Sequence, residues 1–357
     1  MHVVFAAGGT AGHLEPALNT ADALMRIAPA TSISFVGGSR GLETHLVPQR
    51  GYALIQTGAD PFPRRMNRAA LGFPAHTVGS VRAASAHLRA SRAGVVVGFG
   101  GYAAVPGYLA AWRTKTPLII HEANSRAGFA NRLGARLTPH IGVVHDGVLP
   151  HARHMGLPLR PAIAHLDRRA LRAQARDHWG LPADQPVVLV FGGSQGARHL
   201  NEIVSEAIGG LVAAGVNVLH SVGGKNAVPE PQPGYLPVSY IERMDLAYAA
   251  ADLVVCRSGA MTCAELTAVG VPGIYVPLPI GNGEQSGNSL PIVDAGGGFQ
   301  RSDELLSPEW LTTTVLSVVQ DESRLEAMSR AAFSLGERDA DEQFAEWIVQ
   351  VAERRRE

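Results

Sequence analysis

Residues 2–19, HVVFAAGGTAGHLEPALN, and residues 187–204, VVLVFGGSQGARHLNEIV, are two versions of one pattern: an apolar run, a glycine turn and the opening of a helix. Apolar runs without polar alternation are what a parallel strand covered on both faces requires. The glycines let the chain turn sharply and bring backbone N–H groups to the start of the next helix, where an anion can be held. SISFVGG (32–38), GVVVGFGG (94–101) and PLIIHEAN (117–124) read as further strands of a first unit. VNVLHSVGG (216–224), ADLVVCRSG (251–259) and VPGIYVPLP (271–279) read as strands of a second, each with helical sequence behind it. The alternation predicts an α/β chain of two Rossmann-like parallel-sheet units, similar in size, with a cleft between them.

Residues 150–186 interrupt the alternation. PHARHMGLPLRP carries three prolines and is followed by the charged helical stretch DRRALRAQARDHWG, the pattern of a linker and a restart. At the other end, ERDADEQFAEWIVQVAERRRE (337–357) places Phe344, Trp347, Ile348 and Val351 at helical spacing, a terminal helix packing by one face.

Composition narrows the function. Lys plus Arg and Asp plus Glu both number 31, so no net basic field exists to grip nucleic acid. Cys256 and Cys263 cannot build a disulfide framework in 357 residues, and a reducing compartment with buried thiols is expected. MHVVFAAGGT lacks the basic start of a signal peptide and reads as a first strand. The uncharged run from Ala93 to Trp112 is broken by Gly94, Gly98, Gly100, Gly101, Pro106 and Gly107, which fits strand, turn and helix and not a membrane span.

In open parallel sheets, ligands bind beyond the carboxyl ends of the strands. His13 directly after the first glycine turn is placed there as a proton acceptor for a sugar hydroxyl, or as a helix first-turn histidine bonded to backbone. His121, Glu122 and Asn124 end a strand at the same edge; Glu122 is either catalytic or a helix-capping carboxylate. In the second unit Thr262 and Glu265 fall three apart on the first turns of a helix, where a carboxylate suits a ribose. Glu284, Gln285 and Asn288, in the loop PLPIGNGEQSGNSL, can read sugar hydroxyls or be merely solvated. Neither glycine turn is G-x-G-x-x-G, and the second strand ends in Gly37 and Gly38 with no acidic residue, against a nicotinamide or flavin dinucleotide.

Residues 61–92 carry Arg64, Arg65, Arg68, Arg82, Arg89 and Arg92 among Met66, Leu71, Phe73 and Val78, with no acidic residue. That is the pattern of a peripheral surface for anionic lipid, which Trp112, Arg113 and Lys115 would extend; an ordinary basic loop and helix is the alternative.

GGTAGH, VVGFGGYAAVPGYLAAW, HEAN, GLPLR, FGGSQGARHLN and CRSGAMTCAEL followed by EQSGNS, in unbroken order to about residue 300, resemble the MurG family. These are the UDP-N-acetylglucosamine:N-acetylmuramyl-(pentapeptide)-pyrophosphoryl-undecaprenol N-acetylglucosaminyltransferases. The resemblance implies the two-domain GT-B fold and inverting, metal-independent transfer of GlcNAc from UDP-GlcNAc to the MurNAc 4-hydroxyl of lipid I. The products would be lipid II and UDP, made at the cytoplasmic membrane face for peptidoglycan synthesis, with cell-wall synthesis proteins as possible partners. It implies an acceptor- and membrane-binding domain over 1–158, completed by 338–357, and a UDP-GlcNAc domain over 159–337. His13, Glu122 and Tyr102 would be catalytic, with the base either His13 or Glu122, and Asn131, Gly100 and Gly101 would lie on the acceptor side. Donor contacts would come from Thr10, Ala11, Gly12 and Asn124, from Arg160, Ser194 and Gln195 at the diphosphate, and from Ile241 and Met244 at the uracil. Met261, Thr262 and Glu265 would face the ribose side, and Glu284, Gln285 and Asn288 the GlcNAc. Two positions depart from the family pattern: Glu284 precedes Gln285 where some members have two glutamines, leaving open which reads the sugar, and Ala11 replaces a common glycine. No cofactor is expected, and the lone Asp-x-Asp, at 339–341, lies in the terminal helix. Rival readings are a GT-B transferase with another lipid or natural-product acceptor, a sugar-nucleotide epimerase, and a non-catalytic nucleotide-sugar-binding protein.

Overall fold

The structure is a computed structural model describing residues 1–58, 68–193 and 196–354; within 68–74 it describes the backbone alone. The chain divides into two compact units, Met1–Leu159 with Asp339–Glu357, and Arg160–Arg338.

The first unit runs β1 (His2–Ala7), α1 (Ala11–Ile27), β2 (Ser32–Gly37), α2 (Glu43–Gln49), β3 (Ala53–Gln56), α3 (Arg68–Ala90) and β4 (Val95–Gly100). It continues α4 (Val105–Thr114), β5 (Leu118–Glu122), α5 (Phe129–Gly134), β6 (His140–Val143) and β7 (Arg153–His154). All strands are parallel, in the order β3-β2-β1-β4-β5-β6-β7. Because side chains alternate across a strand, β1 sends Val3 and Phe5 to one face and Val4 and Ala6 to the other. The first face is covered by Leu14, Leu18 and Leu24 of α1, and the second by Ala84 and Leu88 of α3 and Tyr108 and Ala111 of α4.

The second unit runs α6 (Pro161–Ala164), α7 (Arg168–Trp179), β8 (Val187–Phe191), α8 (Arg198–Ala213), β9 (Asn217–Ser221), β10 (Tyr235–Val238) and α9 (Met244–Ala250). It continues β11 (Leu253–Cys256), α10 (Ala260–Val269), β12 (Gly273–Tyr275), α11 (Glu284–Asp294), β13 (Gly298–Gln300), α12 (Pro308–Val319) and α13 (Glu322–Ser334). Its parallel sheet has the order β10-β9-β8-β11-β12-β13, the same winding as the first. Val188 and Val190 pack under α8 and α12, and Leu189 and Phe191 under α9 and α10. Arg176, buried, donates to the Ala250, Pro182, Ala183 and Gln185 carbonyls and pairs with Asp252, knitting α7 to the foot of this sheet.

The last helix, α14 (Ala340–Glu353), returns to the first unit. Phe344, Trp347, Ile348 and Val351, the four residues whose spacing marked it, join the core beneath α1, and Asp341 pairs with Arg26 at 2.6 Å. Both cysteines are free and buried, and burial holds their thiols well above the ordinary range. No described helix is long and apolar enough to cross a membrane.

Candidate active site

In each unit the strand order reverses at the strand that carries a glycine turn, between β1 and β4 and between β8 and β11. There the loops from adjacent strands leave in opposite directions and open a crevice.

In the first unit a cavity of about 670 Å³ opens at that edge. It is lined by His13, Gly100, Gly101, Tyr102, Glu122 and Asn131, by Val105, Pro106, Phe129 and Leu133, and by His76, Thr77 and Ser80 from α3. Thr10 occupies the N-cap position of α1 but makes no cap bond: its hydroxyl lies 2.9 Å from Nδ1 of His13 instead. A hydrogen bond at Nδ1 fixes the orientation of the ring and determines which nitrogen carries the proton. The ring lies against Gly100 and Gly101; a side-chain carbon on Gly101, whose φ is +79°, would also overlap the Gly8 carbonyl. Only glycine lets the β1 and β4 loops interlock this closely.

Glu122 and Asn131 form the floor. Oε1 of Glu122 accepts the Asn124 backbone and side-chain N–H groups at 3.0 and 3.2 Å. Its Oε2 accepts the Gly128 N–H at 3.1 Å and Asn131 Nδ2 at 2.9 Å. Asn131 also donates to the His121 carbonyl and accepts the Tyr108 hydroxyl at 2.8 Å. Tyr108, fully buried on α4, takes the Gly100 N–H at 2.9 Å and so ties this floor to the loop beneath His13. Burial lifts its phenol far above the ordinary range, which keeps it a neutral donor. The sequence reading missed Tyr108 although it stood inside the quoted VPGYLAAW stretch. It missed His76 as well, which no local pattern marks.

In the second unit, Glu265 of α10 is nearly buried and accepts the hydroxyl of Tyr248, on α9, at 2.8 Å. Burial and the Glu265 charge push the Tyr248 phenol up, while the Arg160 guanidinium pulls it down, so the three groups share one field. Arg160 occupies the N-cap position of α6, Ile241 is buried just before α9, Met244 opens α9, and Met261 and Thr262 lie half-buried on the first turn of α10. Gln285 is anchored through its carbonyl oxygen by the Leu278 N–H at 3.0 Å. Glu284 accepts the Asn282 N–H at 3.1 Å while its own N–H donates back to the Asn282 side chain, closing the loop. Asn288, buried, donates to the Ser258 carbonyl. Arg257, directly after β11, is buried against Asp303 at 2.5 Å and the Val276 and Pro277 carbonyls. Ser194 and Gln195 lie outside the described residues.

Of the basic stretch, Arg64 and Arg65 are outside the described residues, as are the side chains of Arg68, Leu71 and Phe73. α3 exposes Val78, Arg82 and Arg89 and packs along α4, on whose last turn Trp112 is 66% exposed. Lys115 follows, exposed, in left-handed conformation at the α4 C-cap. From residue 61 through 121 the sequence has no acidic residue and eight cations.

The glycosyltransferase family 28 N-terminal domain matches residues 3–142 and the family 28 C-terminal domain residues 187–344. The chain belongs to glycosyltransferase family 28. Within this family it is 53% identical over 348 residues, 96% of both chains, to a Streptomyces avermitilis protein. That protein is named UDP-N-acetylglucosamine--N-acetylmuramyl-(pentapeptide) pyrophosphoryl-undecaprenol N-acetylglucosamine transferase. A Nocardia farcinica protein of the same name is 51% identical, covering 99% of this chain and 96% of its own. Among solved structures, Acinetobacter baumannii MurG aligns over 98% of this chain and 99% of its own with a TM-score of 0.79 at 26% identity. The kitacinnamycin glycosyltransferase, at a TM-score of 0.70 and 16% identity over 98% of this chain and 99% of its own, shares the fold alone. The family 28 enzyme thus has the two parallel-sheet units that its two glycine turns predicted and the GT-B fold that the family resemblance implied.

Proposed function

We propose that the enzyme transfers GlcNAc from UDP-GlcNAc to the MurNAc 4-hydroxyl of lipid I, with inversion and without a metal ion, giving lipid II and UDP. The observation that carries this reading is likeness at about half identity over 96% of the chain to relatives bearing that name. In this reading the first unit, with α14, takes the acceptor and the second unit the donor.

Transfer builds negative charge on the departing diphosphate and positive charge on the sugar ring, while the attacking hydroxyl must lose its proton. Arg160 and the N–H groups at Ser194 and Gln195 are the donors assigned to the diphosphate. Glu265 accepts the ribose hydroxyls. The anchored carbonyl of Gln285 directs its amide N–H₂ toward the sugar, and Glu284 serves the loop. We assign the proton to His13: Nδ1–H donates to Thr10, and Nε2 takes the proton of the acceptor hydroxyl. Glu122, with four donors on its two oxygens, is a positioning residue here, as is Asn131. Tyr102, on the cavity wall, is assigned a contact with the acceptor. The enzyme works at the cytoplasmic membrane face, with the exposed basic and apolar α3–α4 surface turned to anionic lipid.

His13→Ala is expected to lower kcat by about 10² or more at unchanged UDP-GlcNAc affinity, measured by UDP release and isothermal titration. Normal turnover in that variant would remove His13 from the role.

A further inference from the structure

We propose that Glu43 is a built-in anion for the first glycine turn, a positioning residue that holds the turn, and with it His13 and Tyr102, in the form that receives the acceptor. This rests on reading the first unit as the acceptor unit.

Glu43 opens α2, is wholly buried, and has no part in the chemistry assigned above. Its carboxylate bridges two glycine loops that leave adjacent strands: Oε2 accepts the Gly9 N–H after β1 and Oε1 the Gly38 N–H after β2, each at 3.0 Å. Glycines clear the space. A side-chain carbon on Gly8 would stand 2.7 Å from Oε1, one on Gly37 would stand 3.0 Å from Cγ, and one on Gly41 would overlap Oε2.

Backbone N–H groups converging on one anion at the end of a Rossmann strand are the arrangement that ordinarily receives a phosphate. In this turn the anion belongs to the chain. A side-chain carbon on Gly193, at the matching position of the second turn, would meet no described atom within 4 Å, whereas one on Gly9 would meet the Tyr102 ring.

The filled turn has a mechanical consequence. A side-chain carbon on Gly9 would lie 3.0 Å from the Tyr102 ring, and Gly100 and Gly101 lie directly under His13. Releasing Gly9 from Glu43 lets the β1 loop move against the β4 loop, and the two groups facing the cavity move with it.

The test uses the full-length enzyme with Glu43→Gln and Glu43→Ala. Glutamine keeps the shape but presents an N–H₂ to one of the two N–H donors. Alanine leaves a carboxylate-sized cavity that formate can enter. Both should lower kcat for acceptor glycosylation by about tenfold or more, the equivalent of one hydrogen bond to a charged group, with KM for UDP-GlcNAc within about twofold. Formate should restore Glu43→Ala and leave Glu43→Gln unchanged. In amide-exchange NMR, Gly9 and Gly38 should be protected in the wild type, with at least one losing protection in Glu43→Gln, a readout that needs no turnover. Wild-type kcat in both variants, or a loss that formate does not relieve while both amides keep their protection, would overturn the proposal. So would a rise in donor KM in step with the loss of kcat, which marks general damage. If Glu43→Ala does not fold, the glutamine variant and its amides carry the decision. Amides that respond as expected in an enzyme making no lipid II would support the clamp and refute the acceptor reading.

Discussion

Replacing Tyr108 with phenylalanine isolates one hydroxyl on which the floor of the cavity depends. The ring stays packed against Gly98 and Gly134, where a side-chain carbon would collide with it, so no cavity opens. What disappears is the acceptor for the Gly100 N–H and the donor to Asn131 Oδ1, both buried. Leaving a buried polar group unmet costs about 1–3 kcal/mol, so the two together should destabilise the first unit by about 2–6 kcal/mol. At about 2–4 °C per kcal/mol for a unit of this size, its melting transition should fall by about 4–24 °C. Because Gly100 lies under His13, kcat for acceptor glycosylation should fall by about tenfold while UDP-GlcNAc affinity holds. Differential scanning calorimetry with UDP-release kinetics reads both effects. A variant within about 0.5 kcal/mol of wild type, with full kcat, would refute the claim that the tyrosine hydroxyl organises the site.

Tyr248→Phe removes the donor that orients Glu265, and UDP-GlcNAc affinity should fall by about tenfold, less so for a 2′-deoxyribose analogue, in isothermal titration. His220 is buried between Tyr235 and Asn201, and burial lowers its pKa from 6.5 to about 4. The unfolded chain therefore takes up the proton first. Stability is fully present above pH 6.5 and falls by about 3 kcal/mol as pH drops to about 4. Urea denaturation of the wild type across that window should reveal this slope, and His220→Gln should flatten it. Trp112→Ala combined with Arg82→Glu should weaken sedimentation with anionic vesicles by about tenfold and leave neutral vesicles unaffected; no dependence on lipid charge would remove the membrane role from this surface.

The parts of the fold legible in the sequence are those written in local pattern. Continuous apolar runs before Gly8 and Gly192 reported strands covered on both faces, and Phe344, Trp347, Ile348 and Val351 reported a helix with one buried stripe. His13 was legible because a glycine turn before a helix fixes where the next side chain falls. Glu43 was not. It lies 34 residues from Gly9, and their meeting depends on β1 pairing with β2, which no local pattern encodes. Tyr108 and Asn131, 23 residues apart, meet for the same kind of reason: both elements cover one face of the sheet. Glu122 was legible as a carboxylate at a strand end, but its duty was not, since its four donors arrive from the loop and helix beyond.

The most direct test of the account is GlcNAc transfer from UDP-GlcNAc to a short-chain lipid I analogue in excess EDTA, with UDP-GalNAc as the control donor. The expected product is a disaccharide of inverted anomeric configuration, formed with chelator present and in preference to the GalNAc product. Tight UDP-GlcNAc binding with no transfer to that acceptor would contradict it.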